Sequence, residues 1–473
     1  MLPPLGLFVL LCLLATAQDE KPKEEEKKKP EPPKIVKPTQ KEIDAAIQQG
    51  AEYIKQQQNS DGSWPMGPGD IPRHRFRNQM GPQTLGHTAL MLLTLLHADV
   101  KVEDSVVERA FNFLFEKREE FAHTYNCALT LMALDMYVEK KAKAGAKGRR
   151  HKRPVSKEKV FRKQSKVFRL FATELMMKLY AGQLEDGSWT YWASKGKIPG
   201  LGTGVREEED EDKKEDENFK RPKPPDIGGD LSNTQYALLG LRAAAEMGIQ
   251  FSDSVWANAA KLILSRQEAK KEPVVPGFFV PIAAAPWGKR LGSRGRGKTE
   301  VGSKRRDFVP RGWGYVQSTT RTHAYGAMTV IGVASLSICK HYGHRAAGFT
   351  KKIREQIDAA IEDGCAWLVE NYDILDNIKW KDPTARYRRA EGKIDGYYMY
   401  GWERAGILTG LIEFGGRDWY AEGARYLVDE QAEDGSWSAQ MFYEPKATIS
   451  TAFAVLFLKR ATKPLTIRTG SQR

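Results

Sequence analysis

The chain has 473 residues, with 41% hydrophobic and 28% charged residues, so it holds enough apolar material for a large core and wholesale disorder is excluded. Eight histidines and four cysteines are too few for a metal-rich or disulfide-framed protein. Lys and Arg outnumber Asp and Glu by 74 to 60, a net charge of +14 whose meaning depends on where it sits.

Leu5 to Leu14 is an apolar run, followed by Ala15-Thr16-Ala17. A short hydrophobic stretch ending in A-x-A predicts a secretory signal peptide over 1–17. Its n-region carries no Lys or Arg, but the run is too short for a comfortable membrane span. Export to the periplasm, cell envelope or medium is therefore expected, with no transmembrane span after cleavage. Residues 18–40 are rich in Lys, Glu and Pro and read as a disordered spacer. Cys127, Cys339 and Cys365 remain after cleavage, each in apolar helical context, so no disulfide framework is implied.

From residue 41 to 462 the chain repeats itself. One heptapeptide occurs three times, from Gln58 to Trp64, from Gln183 to Trp189 and from Gln431 to Trp437, each ending Asp-Gly-Ser-Trp. A second echo relates Ile43-Asp-Ala-Ala-Ile47 to Ile357-Asp-Ala-Ala-Ile361. Apolar periodicity predicts six helix pairs. The first helix of each pair is amphipathic and faces outward, at about 41–58, 103–118, 166–183, 254–267, 351–372 and 417–431. The second is apolar all round and buried, at about 83–97, 123–138, 232–247, 320–340, 396–414 and 448–460. Twelve alternating outer and inner helices predict an all-α fold, a single (α/α)6 toroid. Long charged segments at 140–166, 206–223 and 270–311 interrupt it as surface insertions, and 463–473 form a tail. In the heptapeptide, Gln is expected to bond the free carbonyls ending its own outer helix. Asp-Gly makes the turn, and Trp packs against the neighbouring hairpin.

The Q-x-x-D-G-S-W heptapeptide resembles the QW repeat of squalene–hopene cyclases and related terpene cyclases, whose toroid is shared with protein prenyltransferase β subunits. The resemblance covers about residues 41–462 and implies the fold more firmly than the activity. A cyclase implies D-x-D-D-T at the start of an inner helix, with the middle Asp as acid. The matching stretch is Asp230-Leu231-Ser232-Asn233-Thr234, where Ser232 stands at the acid position and cannot protonate an alkene. Asp230 then reads as an N-cap. A prenyltransferase implies zinc held by D-x-C and a later His. Asp363-Gly364-Cys365 fits the first part, but His344 is the last histidine, so no metal site is expected and no cofactor is implied.

In a toroid the N-termini of the inner helices converge on one mouth, where their dipoles favour anions. The catalytic candidates at those positions are Asp230, Glu403, His123, His323 and Tyr325. The ligand-binding candidates are Tyr125, Asn126, Asn233, Thr234, Trp313, Arg321, Tyr397, Tyr400, Trp402 and Arg404. Three functions follow. The first is a non-catalytic toroid that binds an apolar, isoprenoid or anionic ligand, or a partner, in the cell envelope. The second is an isoprenoid-handling cyclase or transferase with a divergent site. The third is an acidic-polysaccharide lyase or glycosidase, for which His123, Tyr125, Asn126, Arg321, His323 and Tyr325 supply the residue types.

The charge can be placed. Lys140–Lys166 holds thirteen basic residues and one acidic, and Lys289–Arg311 nine and two. Arg206–Lys223 holds six and nine, and the rest of the chain is nearly neutral. Basicity confined to inserted loops reads as docking to an anionic envelope surface rather than to nucleic acid.

Overall fold

The computed structural model describes residues 36–64, 83–147, 155–193, 221–223, 228–269, 309–315, 324–377, 393–439 and 447–465. Amphipathic segments form the outer helices α1 (Gln40–Gln56), α3 (Ser105–Glu116), α6 (Lys166–Ala181), α8 (Ser254–Ser265), α10 (Lys351–Glu370) and α12 (Trp419–Asp429). Helix α1 shows why they lie outside. Its buried residues are Ile43, Ala46, Ile47, Gly50, Ala51 and Ile54, one stripe at helical spacing. Thr39 starts it with a reciprocal capping box to Glu42.

The apolar segments form the inner helices α2 (Gln83–His97), α4 (Thr124–Lys147), α7 (Leu231–Glu246), α9 (Gly326–Tyr342), α11 (Gly396–Thr409) and α13 (Ala447–Leu458). In α9 every residue from Gly326 to Cys339 is buried, as expected for a helix enclosed on all sides. Around the ring α2 packs on α4, α4 on α7, α7 on α9, α9 on α11 and α11 on α13, and α13 closes back onto α2. The fold is therefore an all-α toroid, whose described inner helices close into a ring. A short helix α5 (Lys157–Arg162) packs on α4. The basic segment 140–166 thus carries helix at both ends, because α4 continues to Lys147 and Ser156 caps α5.

The repeated heptapeptide joins the outer ring, but not by the expected bonds. The Gln58 amide donates to the Val106 carbonyl of the next outer helix (2.9 Å) and to the Gly62 carbonyl of its own turn (3.1 Å). Gln183 does the same with Val255 and Gly187, and Gln431 with Ala46 and Gly435. Each Gln therefore ties two outer helices together rather than capping its own. Each indole N–H returns to its own outer helix, Trp64 to the Ile54 carbonyl, Trp189 to Leu179 and Trp437 to Leu427. Each Trp backbone N–H meets a Thr hydroxyl of the following inner helix: Thr88, Thr234 or Thr451. The glycine is required twice over. Gly187 has φ +90°, and a Cβ there would come within 2.4 Å of the Asn258 carbonyl oxygen.

A fourth copy is present although its sequence is split. The Gln267 amide donates to the carbonyls of Ala360 (2.9 Å) and Arg311 (3.0 Å). The Trp313 indole donates to Ile263 (2.8 Å), and its backbone N–H to Thr329. Arg311, at the end of the expected insertion, therefore belongs to the ring itself together with Trp313.

Candidate functional site

All six inner helices run in the same direction, so their N-termini line one mouth. Three segments that follow motif tryptophans reach back to the start of the preceding inner helix. The Ala193 N–H donates to Ala122, and the Thr124 N–H to Tyr191, ahead of α4. The Leu231 N–H donates to Tyr315 ahead of α7. Lys393–Ile394 pairs with Ser438–Ala439 ahead of α11. These crossings carry Tyr191, Trp192 and Tyr315 to the mouth.

A chain of hydroxyls spans the lumen there. Tyr125 of α4 bonds the Ser232 hydroxyl of α7 at 2.6 Å, and Ser232 bonds Tyr397 of α11 at 2.5 Å. The three residues occupy the first turns of their helices, so a 3.6-residue period brings them to one level. Tyr236 lies one turn below Ser232, with its ring 4.8 Å from Tyr125 and stacked 6.4 Å from Tyr397. Tyr191 and Tyr315 join their hydroxyls at 3.0 Å. Burial pushes the Tyr125 and Tyr397 hydroxyls well above the usual phenol range, so they stay neutral donors.

Asp230 is the N-cap of α7. Its Oδ1 accepts the Asn233 backbone N–H (2.8 Å) and its Oδ2 the Asn233 side-chain amide (2.7 Å). Burial raises its carboxyl above the ordinary range against the pull of those bonds. The N–H groups of Asn233 are thus spent on the cap, and Thr234 receives the Trp189 N–H while donating to the Asp230 carbonyl. Asp395 caps α11 through the Tyr398 N–H. Tyr325 stands at the start of α9, where burial, then the charges of Asp230 and Asp395, raise its hydroxyl above the phenol range.

The other candidates separate by location. His123 is buried with its ring 4.2 Å from Trp192, in a packing role. Asn126 is buried between α4 and α2, where a Cβ on Gly86 would sit 2.4 Å from its Oδ1. Trp402 packs edge-on against Phe414 at 5.0 Å and against Tyr372 at 5.3 Å. Trp313 is wholly buried in the split motif. Arg321 and His323 lie outside the described residues. Arg404 is wholly buried, 4.2 Å from the Tyr400 ring centre and 5.7 Å from that of Tyr236, and its Nη2 donates to Gln235 Oε1 at 3.3 Å. Sequence reasoning weighed Ser232 only as a missing acid and passed over Gln235 and Tyr236, although all three share the first two turns of α7. Tyr191 had no signal in the sequence, because the pairing that brings it to the mouth is tertiary.

Glu403 does not belong to this mouth. It faces the C-terminal segment, its carboxylate accepting from the Thr462 N–H (2.8 Å) and hydroxyl (2.6 Å). Burial pushes its carboxyl up to about 7. Arg242 donates to the Lys463 carbonyl at 2.7 Å, and Leu465 is buried in the core. Residues 461–465 therefore lie across the opposite mouth, and the expected boundary at 462 falls within them. A cavity of about 60 Å³ remains there, lined by Leu93, Met132, Leu239, Arg242, Tyr400 and Thr462 among others. Lys463 pairs with Glu139, and Lys157 with Asp135 at 2.5 Å.

Among the described residues no helix is long and apolar enough to cross a membrane, and no three His, Cys, Asp or Glu are grouped to hold a metal ion. The chain matches no protein-family model and no curated protein. Two solved structures align over most of it. An inactive variant of an α-1,6-mannanase of Salegentibacter, in complex with α-1,6-mannotriose, covers 89% of this chain and 99% of its own at 10% identity and a TM-score of 0.44. A type II terpene cyclase from Scytonema covers 90% and 99% at 13% identity and a TM-score of 0.31. Neither likeness bears on activity.

Proposed function

We propose that this chain is an exported, non-catalytic toroid that binds a ligand at the N-terminal mouth of its inner helices. Its squalene-cyclase-type repeats act as scaffold. One observation carries the reading: both carboxylate oxygens of Asp230 are engaged by Asn233, while the acid position of a cyclase is filled by Ser232, a bridge between two tyrosines. The mouth offers aromatic faces and neutral hydroxyls, which suit binding. The basic inserted segments would hold the toroid at an anionic surface of the envelope.

The test is mass spectrometry of small molecules and lipids that co-purify with the mature protein, followed by incubation with what is recovered. A ligand that leaves unchanged from both wild type and Asp230→Asn supports binding. Conversion by wild type that is lost in Asp230→Asn overturns it. That result would favour the divergent cyclase reading, for which the raised Asp230 carboxyl is the supporting feature.

A further inference from the structure

We infer that Arg404 seats an anionic group, a carboxylate or a phosphate, in the lumen of the toroid. This rests on the reading of the lumen as a binding site and names the chemistry of its ligand. Arg404 is wholly buried, and among the described residues its Nε and Nη1 have no hydrogen-bond acceptor. A guanidinium carries five N–H donors and does not lose its proton in a protein. Here only Nη2 is served, by a single amide oxygen at 3.3 Å.

Other enclosed arginines of the chain are treated differently. Arg311 makes a forked pair with Asp363 through Nε (3.0 Å) and Nη2 (2.8 Å). Arg266 holds the Gly229 carbonyl (2.7 Å) and Asp186, and Arg242 the Lys463 carbonyl. Glu403, the residue beside Arg404, turns away to Thr462, because successive residues on a helix diverge by about 100°. Glu403 and the surrounding tyrosines favour the Arg404 charge through space, but among the described residues no carboxylate meets its Nε or Nη1, and those buried donors remain unserved.

Next to Arg404 the unserved groups are donors, while the unserved Asn233 Oδ1 belongs to the cap of α7. Besides Arg404 Nε and Nη1, the Gln235 Nε2 amide is buried without an acceptor. A donor-only set around a fixed cation calls for an acceptor with negative charge, and a guanidinium fork fits a carboxylate or a phosphate. Tyr236 and Tyr400 wall the position, and Tyr397 stands above it next to Tyr236. The ligand therefore carries its acid at Arg404 and an apolar or ring-shaped body among the tyrosines.

The experiment uses the full mature chain in chloride buffer at constant ionic strength. Inorganic phosphate and acetate are titrated separately while Tm is followed, in wild type, Arg404→Met and Gln235→Leu, all checked for helical content. Wild type is expected to gain about 3–5 °C at saturation with at least one of the two anions. A response to phosphate alone assigns a phosphate group, and to acetate alone a carboxylate. Arg404→Met should show no response, yet melt no lower than wild type without oxyanion, since it removes buried donors that lack acceptors. Gln235→Leu keeps the charge and should respond with weaker affinity, which preserves the test if Arg404→Met fails to fold. Equal responses in wild type and Arg404→Met overturn the inference. A neutral co-purifying ligand also overturns it while leaving the binding function standing.

Discussion

Gln267 and Trp313 face each other across an isolated antiparallel bridge, although a long charged segment separates them in sequence. Together they make the same bonds as the three contiguous motifs: a Gln amide to the next outer helix, an indole N–H to its own, and a backbone N–H to a Thr hydroxyl. Trp313→Ala should therefore destabilise the protein as much as Trp189→Ala, by about 3–5 kcal/mol. Gln267→Ala should cost about 1–3 kcal/mol, since two buried carbonyls lose their donor. Urea denaturation followed by far-UV circular dichroism gives both values. A Trp313→Ala effect below that of a surface substitution would remove Trp313 from the ring.

Arg311 anchors that fourth motif by pairing with Asp363 on α10, the first residue of the Asp-x-Cys triplet that resembles half a zinc site. The carboxylate is committed to a guanidinium, and the neighbouring Cys365 thiol is buried and pushed up to about 12. Asp363→Ala should cost about 3–5 kcal/mol, because it leaves the Arg311 charge without its partner. Cys365→Ser at the same helix should leave the zinc content of the purified protein unchanged. Atomic absorption on the two variants separates a structural ion pair from a metal site.

How far the sequence reveals this molecule depends on how local each signal is. The ring of helices was legible because Ile43, Ala46, Ile47 and Ile54 recur at helical spacing within one segment, and because three heptapeptides are contiguous. The fourth was hidden, since Gln267 and Trp313 meet only after the chain has folded. The mouth was legible in part. Tyr125 and Tyr397 sit in the first turns of apolar helices, where a sequence can place them. Tyr191 arrives by a pairing between Tyr191 and Thr124 that no periodicity records. The unserved donors of Arg404 were likewise invisible, because Glu403 stands beside it in sequence but bonds Thr462 instead. The extension of α4 to Lys147 was missed because Lys and Ala form helix well without any apolar stripe.

Asp230 is a cap, and that assignment has its own signature. Asn is as good an N-cap as Asp. Asp230→Asn keeps the backbone cap but gives up the acceptor of the Asn233 amide, so it should cost no more than about 1 kcal/mol, while Asp230→Ala should lose about 1–2 kcal/mol. Thermal melts of both variants check the difference. A large loss in Asp230→Asn would mean that the charge itself matters, as it would for a residue with a role beyond capping.

The hydroxyl chain Tyr125–Ser232–Tyr397 joins the ring neighbours α4 and α7 and then crosses the lumen to α11, which is no neighbour of either. Ser232→Ala strips a partner from two buried phenols and should cost about 1–3 kcal/mol. Tyr397→Phe removes one of those phenols at nearly constant shape. In a double-mutant cycle, Ser232→Ala should therefore cost less in the Tyr397→Phe background than in wild type, by about 0.5–2 kcal/mol. Additive effects would show that the two hydroxyls do not interact in solution.

Glu403 gives the closed mouth a pH dependence of definite sign. Burial, opposed by the two Thr462 bonds, raises its carboxyl from 4.5 to about 7 in the folded chain. The folded state therefore holds this proton more tightly than the unfolded state does. Its contribution is fully present below about 4.5, falls as the pH rises, and is gone once the pH passes about 7. The span corresponds to about 3 kcal/mol. His97 works in the opposite direction: burial first, then the charges of Lys463 and Lys140, lowers it to about 3, so its contribution is lost as the pH falls below its ordinary value. A bare stability profile of wild type would mix the two. The difference between wild type and Glu403→Gln isolates Glu403, since Gln keeps the shape and can still bond Thr462 without titrating. Glu403→Gln should match wild type near pH 4.5 and exceed it by a few kcal/mol at pH 8, measured by urea denaturation at each pH. A difference that stays constant across that range would mean that Glu403 titrates at its ordinary value and that residues 461–465 do not enclose it in solution.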